Sequence, residues 1–233
     1  MTHEIVISRF KEDIAWVEVP KRLGYEITVY NKHEGANLLA NVGKESHTYL
    51  THIVKNYDNL SDVTVFLQGE PFSHCKDLYE LLSVIKNFNV KFDYARLSDG
   101  TIICDGNGRP HCGPEHLPLS RLYQYIFETQ APEVFVCNPA GQFAVTRGAI
   151  HKNPRMIYEK CLNALSYSMN PIEGFCMERM WFSLFGFKHA VKLEDIDYRN
   201  DDYIDVDEYI ALSRDDKGNF IHLGEFGFDK SIR

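Results

Sequence analysis

Glu178 lies one residue from an apolar stripe in which Met177, Met180, Trp181 and Leu184 recur at i, i+3, i+4 and i+7. Such spacing predicts a helix with one buried face. An acid at the margin of that face is partly desolvated, which raises its pKa toward a value useful for proton transfer. The same residue also reads as a surface glutamate paired with a neighbouring arginine. Arg9, Lys32 and Lys44 each fall at or just past the end of a predicted strand or helix. Any one of them reads as a solvated charge, but three cations delivered by separate elements to one edge would suit a phosphate group. Arg147 follows a predicted strand and either joins these cations or pairs with Glu178.

The elements that must carry these residues follow from periodicity. Ile5–Ser8 is a short β-branched run ending at Arg9, Lys11–Glu18 reads as a short helix, and Tyr25–Tyr30 alternates as a strand. Tyr49, Leu50, Ile53, Val54 and Tyr57 place a helix over about Lys44 to Tyr57, and Val63–Leu67 is nearly continuous apolar sequence that stops at Gln68-Gly69-Glu70-Pro71. A strand without polar alternation is covered on both faces. Strands alternating with helices predict an α/β fold with a mostly parallel central sheet flanked by helices. In such sheets ligands bind at the carboxyl ends of the strands, so the polar stops at Arg9, Asn31-Lys32 and Gln68-Gly69 should gather at one edge.

Beyond this half, residues 98–119 are rich in Gly, Pro, His and Cys and read as loops. Leu119–Glu128 reads as a helix, Glu133–Cys137 and Gln142–Thr146 as strands around the turn Asn138-Pro139-Ala140-Gly141, and Ile157–Leu165 as another helix. Cys104, His111, Cys112 and His116 are zinc-ligand types, but they lack paired C-x-x-C or H-x3-H spacing, so no zinc site is expected. Asp105-Gly106-Asn107-Gly108 lacks the G-K-[ST] ending of a phosphate loop.

The 233 residues carry a net charge of −8, and eight acids against one base between Glu194 and Glu208 account for most of it. That balance lacks the basic footprint of a nucleic-acid-binding domain. The expected division is a single domain over residues 1–193 and an acidic extension over 194–233. Six scattered cysteines read as reduced thiols of a cytoplasmic protein. No apolar run approaches the ~20 residues needed to span a bilayer.

Two stretches resemble a known family. Lys32, Asn41 to Leu50, Asn56-Tyr57-Asp58 and Thr64 to Gly69 resemble a family catalogued only as a domain of unknown function. Gly141 to Arg147, Pro154, Tyr158, Glu178 to Trp181 and Phe185-Gly186 are similar to its second half. The pattern also looks like GT-A glycosyltransferases, closest in style to metal-independent inverting enzymes of the core-2 and xylosyltransferase kind.

This second resemblance implies a GT-A-like single domain that moves xylose, galactose or glucose from a nucleotide diphosphate sugar to a glycan acceptor, with Glu178 as catalytic base. It implies donor contacts at Arg9, Asn31, Lys32, Lys44, Gln68, Gly69 and Arg147, and acceptor contacts at His74, Gln142 and Trp181. For several of these a plainer reading stands beside it: turn chemistry for Asn31, an incidental surface residue for His74, core packing for Trp181. Where GT-A enzymes carry Asp-x-Asp, this chain has Gln68-Gly69-Glu70. An amide ligates divalent cations poorly, so no metal is expected to be required, although manganese or magnesium on Glu70 and another acid stays open. The alternative to an enzyme is a GT-A shell that binds a glycan or nucleotide without turnover. A Cys-His hydrolase finds little support, since no cysteine follows a strand-to-helix elbow with an activating partner.

Overall fold

The computed structural model describes residues 1–87, 92–98, 102–109, 116–137 and 139–185. The acidic stretch, and with it the expected 194–233 extension, lies outside the described residues, as do His111 and Cys112. The strands are β1 (His3–Arg9), β2 (Glu26–Asn31), β3 (Val63–Gln68), β4 (Tyr94–Arg96), β5 (Ile102–Asp105), β6 (Val134–Cys137) and β7 (Phe143–Thr146). The helices are α1 (Glu18–Arg22), α2 (Lys44–Asn56), α3 (Leu78–Asn87), α4 (Leu119–Phe127), α5 (Arg147–Ile150), α6 (Arg155–Leu165) and α7 (Ile172–Leu184).

Five strands form the main sheet in the order β2-β1-β3-β7-β4. β1 pairs in parallel with both β2 and β3, whereas β7 runs antiparallel to β3 and to β4. The sheet is therefore mixed, with three adjacent parallel strands on one side. β5 and β6 make a separate antiparallel pair. The two strands predicted around the Asn138–Gly141 turn consequently belong to different sheets, because the chain leaves the small pair at Cys137 and enters the large sheet at Phe143.

Side-chain alternation places a core on each face of the sheet. Val6, Phe66, Phe143 and Val145 pack with α2, α6 and α7, while Ile5, Ile7, Val65 and Leu67 pack with Leu78, Leu82 and Ile85 of α3. β3 is thus covered on both sides, as its nearly continuous apolar run requires. α7 is buried almost all round, from Gly174 to Leu184, and its Met177–Leu184 stripe reaches the centre of the larger core. The helix expected over Lys11–Glu18 instead begins as a 3-10 turn at Ala15–Val17 and continues as α1. Asp13 explains the delay, because its carboxylate accepts the Ala15 N–H and holds the preceding residues in a turn.

Among the described residues no helix is long and apolar enough to cross a membrane.

Candidate functional site

The carboxyl ends of β1, β2 and β3 meet at a cleft of about 600 Å³. Parallel pairing with matched register aligns Ser8 with Gln68 and Arg9 with Asn31, so the polar residues that end each apolar run arrive at one edge. Arg9, Lys32, Lys44 and Gln68 line the cleft, and so does Glu45. Phe10, Glu12, Glu70 and Met169 complete much of the wall.

Each cation is held in place. The Arg9 guanidinium donates to Asn31 Oδ1 at 2.9 Å and to the Glu12 carbonyl at 2.8 Å. Asn31, itself buried, donates to the Ala36 carbonyl at 2.6 Å. Asn31 therefore braces Arg9 and the following loop and does not line the cleft. Lys32 is only 7% exposed, and its ammonium donates to the carbonyls of Val42, at 2.5 Å, and Lys44. Burial lowers its pKa to about 8, against the opposing pull of Glu45. Lys44 lays its ammonium 3.3 Å from the centre of the Phe175 ring, a cation–π contact that ties the start of α2 to α7.

The turn into α2 makes this possible. Gly43 and Lys44 both take left-handed backbone, with φ of 61° and 53°. A Cβ at Gly43 would stand 2.7 Å from His47 Cβ and 2.8 Å from Leu165 Cβ, so only glycine fits there. The Gly43 N–H donates to the Ser168 carbonyl at 2.8 Å, joining α2 to the link between α6 and α7.

A second turn lies opposite. Ala140 and Gly141 have φ of 65° and 58°, an unusual conformation for alanine. Gln68 donates to the Ala140 carbonyl at 3.0 Å, and Glu178 takes a hydrogen bond from the Ala140 N–H. A Cβ at Gly141 would lie 3.5 Å from Glu45 Oε1 and 3.7 Å from Trp181 Nε1. Two carboxyls thus flank one turn. Burial, followed by the charge of Glu178, pushes Glu45 up to about 7. Burial also raises Glu178, offset by Arg179, Lys44, the Ala140 N–H and His74. Glu178 stands beside the cleft, whereas Glu45 is on its wall.

Several expected contacts fall elsewhere. Arg147 sits at the other end of the sheet, because β7 is antiparallel and pairs Thr146 with Val63. Its guanidinium bonds Asp62 at 2.5 Å and the Leu60 carbonyl at 3.1 Å, so it belongs neither with the cleft cations nor with Glu178. Gln142 is fully buried and donates to the Pro71 carbonyl at 3.1 Å, steadying the loop after β3. Trp181 is 1% exposed and packs on Phe143 and, in parallel stacking, on Phe185. It is core and presents no face to a ligand. Gly69 turns its carbonyl to Trp16 Nε1 at 2.9 Å, and any Cβ there would meet the Glu12 carboxylate at 2.7 Å. His74 is exposed on the loop after β3, near enough to Glu178 to favour its ionised form.

Among the lining residues that sequence reasoning missed are Glu45, Phe10 and Met169. Glu45 occupies the first turn of α2, where an acid ordinarily reads as a dipole partner. Phe10 is 39% exposed, packs against the His33 ring and follows Arg9 directly. Met169 reaches the cleft from a distant link and touches Asn41 across 128 residues of sequence. Among the described residues no three His, Cys, Asp or Glu side chains are grouped to hold a metal ion.

The family described as protein of unknown function DUF3431 matches residues 5–197, and the chain belongs to that family. The resemblance carried by Asn41 to Gly69 and Gly141 to Gly186 holds at that level. No curated protein matches the chain significantly.

Proposed function

We propose that this chain is an inverting glycosyltransferase that moves a sugar from a nucleotide diphosphate sugar to a glycan acceptor, on a GT-A-like domain. The observation that carries this reading is the convergence of Arg9, Lys32 and Lys44 on one cleft at the ends of three parallel strands, next to a desolvated carboxyl pair. The acceptor hydroxyl passes its proton to Glu178 while its oxygen forms the new bond at the anomeric carbon. The bond from that carbon to the diphosphate oxygen breaks, and the leaving diphosphate takes the electron pair. Arg9, Lys32 and Lys44 stabilise its charge. They would serve where GT-A enzymes use a metal on Asp-x-Asp, since Gln68 here spends its amide on the Ala140 carbonyl. Glu70, on the cleft wall, is the residue that manganese or magnesium would engage if a metal takes part. Xylose, galactose and glucose are the proposed sugars, and the cytoplasm the proposed location.

The test is Glu178→Gln, followed by donor binding and by transfer. Loss of a general base lowers turnover by about 10²–10⁴-fold with donor binding retained. Unchanged transfer would refute the assignment. A thermal-shift screen of nucleotide sugars with and without manganese names the donor and its metal dependence. A binding shell without turnover is favoured by one observation, that Glu178 is not on the wall of the cleft. Donor binding without transfer in the unaltered protein would establish that reading.

A further inference from the structure

Two buried polar atoms without a hydrogen-bond partner lie at the Ala140–Gly141 turn, Glu45 Oε1 and Trp181 Nε1, and the hydroxyl of Tyr49, whose ring packs on Trp181, is unpartnered too. Glu45 Oε1 and Trp181 Nε1 both lie near the point where a Gly141 Cβ would stand. Glu178, three residues before Trp181, is fixed on the neighbouring Ala140 N–H. The Lys44 stem crosses α7 at Gly174, one helical turn before Glu178, with Cδ 3.2 Å from the position of a Cβ there. Two elements thus bring two carboxyls to one turn, and a buried oxygen left unpartnered is far costlier as a carboxylate than as a neutral carboxyl.

We infer that Glu45 and Glu178 carry one negative charge between them below neutral pH, Glu45 holding the proton and Glu178 ionised, and that Glu45 gives up this proton across neutrality. Glu45 is then a positioning residue for Glu178 and for the charge of the cleft, and this rests on the transferase reading only in its consequence for catalysis. Every charged group facing the pair has a part. Lys44 and Arg179, with His74 when protonated, favour an ionised Glu178, and the Ala140 N–H does the same. Lys32 and Lys44 pull Glu45 toward ionisation, while burial and the Glu178 charge oppose them. Burial, and then the charge on the carboxyls when ionised, hold the Tyr49 hydroxyl neutral, and the Cys104 contact and burial, with Glu178 behind them, push the Cys137 thiol up. The cleft wall bears three cations (Arg9, Lys32, Lys44) and three carboxyls (Glu12, Glu45, Glu70), so a neutral Glu45 leaves it net positive, as an anionic donor requires. Ionising Glu45 removes that surplus.

The experiment is a carbon-13 NMR titration of glutamate side-chain carboxyls in the full chain, without ligand, for wild type, Glu45→Gln and Glu178→Gln. One resonance should titrate near neutral pH, vanish in Glu45→Gln, and move acidward by about one pH unit or more in Glu178→Gln. Glu45→Asp supplies the assignment if the glutamine variant does not fold, because the resonance then leaves the glutamate region. Titration of every glutamate in the ordinary carboxylate range overturns the inference, as does a midpoint unmoved by Glu178→Gln. A second readout separates positioning from mere structure. In a transfer assay the donor KM should rise above neutral pH in both proteins as Lys32 loses its proton, and by more in wild type than in Glu45→Gln; a rise of equal size in both overturns the role in the cleft. A neutral-range titration in a protein that transfers no sugar retires the transferase and leaves the pair. Transfer with an ordinary Glu45 does the reverse.

Discussion

Lys32→Met removes a buried ammonium whose folded pKa is depressed to about 8 from 10.5. The sign follows from linkage. Between those two values the unfolded chain binds more protons than the folded one, so stability rises with pH across that window. Below about 8 the whole cost of burying the charge is present; above about 10.5 it is gone. The shift corresponds to about 3 kcal/mol, undiscounted for solvent because the residue is 7% exposed. About 2 kcal/mol of this should be recovered between roughly pH 7 and 9.5. The assay is urea denaturation at half-unit pH steps over that interval, wild type against Lys32→Met, since the difference cancels the other lysines. At the low end the variant also forfeits two hydrogen bonds, to the Val42 and Lys44 carbonyls, each worth about 1 kcal/mol. The absolute difference at pH 7 is therefore small and the slope is the measurement. Parallel curves would refute the reasoning, because they would mean that the ammonium is as well solvated in the fold as in the unfolded chain. The same argument predicts that inorganic pyrophosphate stabilises wild type more at pH 7 than at pH 9.5.

Gly43→Ala should cost about 1–3 kcal/mol, read by thermal denaturation, since it places a Cβ 2.7 Å from His47 Cβ in a left-handed conformation. A neutral result would show that the turn can shift. Trp181→Phe should leave donor binding unchanged, whereas Trp181→Ala should lose about 3–5 kcal/mol of stability, as a buried aromatic does. Donor affinity lost in the Phe variant by isothermal calorimetry would return Trp181 to the binding surface.

Local pattern made the positive half of the cleft readable. Val63–Leu67 is apolar but for Thr64 because both faces of β3 are covered, and Arg9, Lys32 and Gln68 follow because a parallel sheet aligns its strand ends. What strand direction decides was hidden. Arg147 directly follows a strand much as Arg9 ends one, yet β7 is reversed, so the same local grammar sends it to Asp62. The helical stripe of Trp181 already allowed its core reading, whereas Gln142, one residue before β7, turns inward in a way its sequence position does not show. α3, whose Leu78, Leu82 and Ile85 face the core, followed a loop rich in polar residues and went unread. β5 lies within the segment taken as loop, because its four residues are too few to show alternation. Glu45 was hidden for another reason: an acid in a first helical turn is so ordinary that its type alone says nothing, and only the approach of α7 makes it unusual.

The link between α6 and α7 supplies Met169 to the cleft and the Ser168 carbonyl to Gly43. The three parallel strands and α2 are all complete by residue 68. In synthesis the residues of the cationic edge therefore emerge about a hundred residues before Met169 and Ser168, which complete their surroundings. A single protease nick in that link would free the Ser168 carbonyl from its place and loosen the seat of the turn into α2.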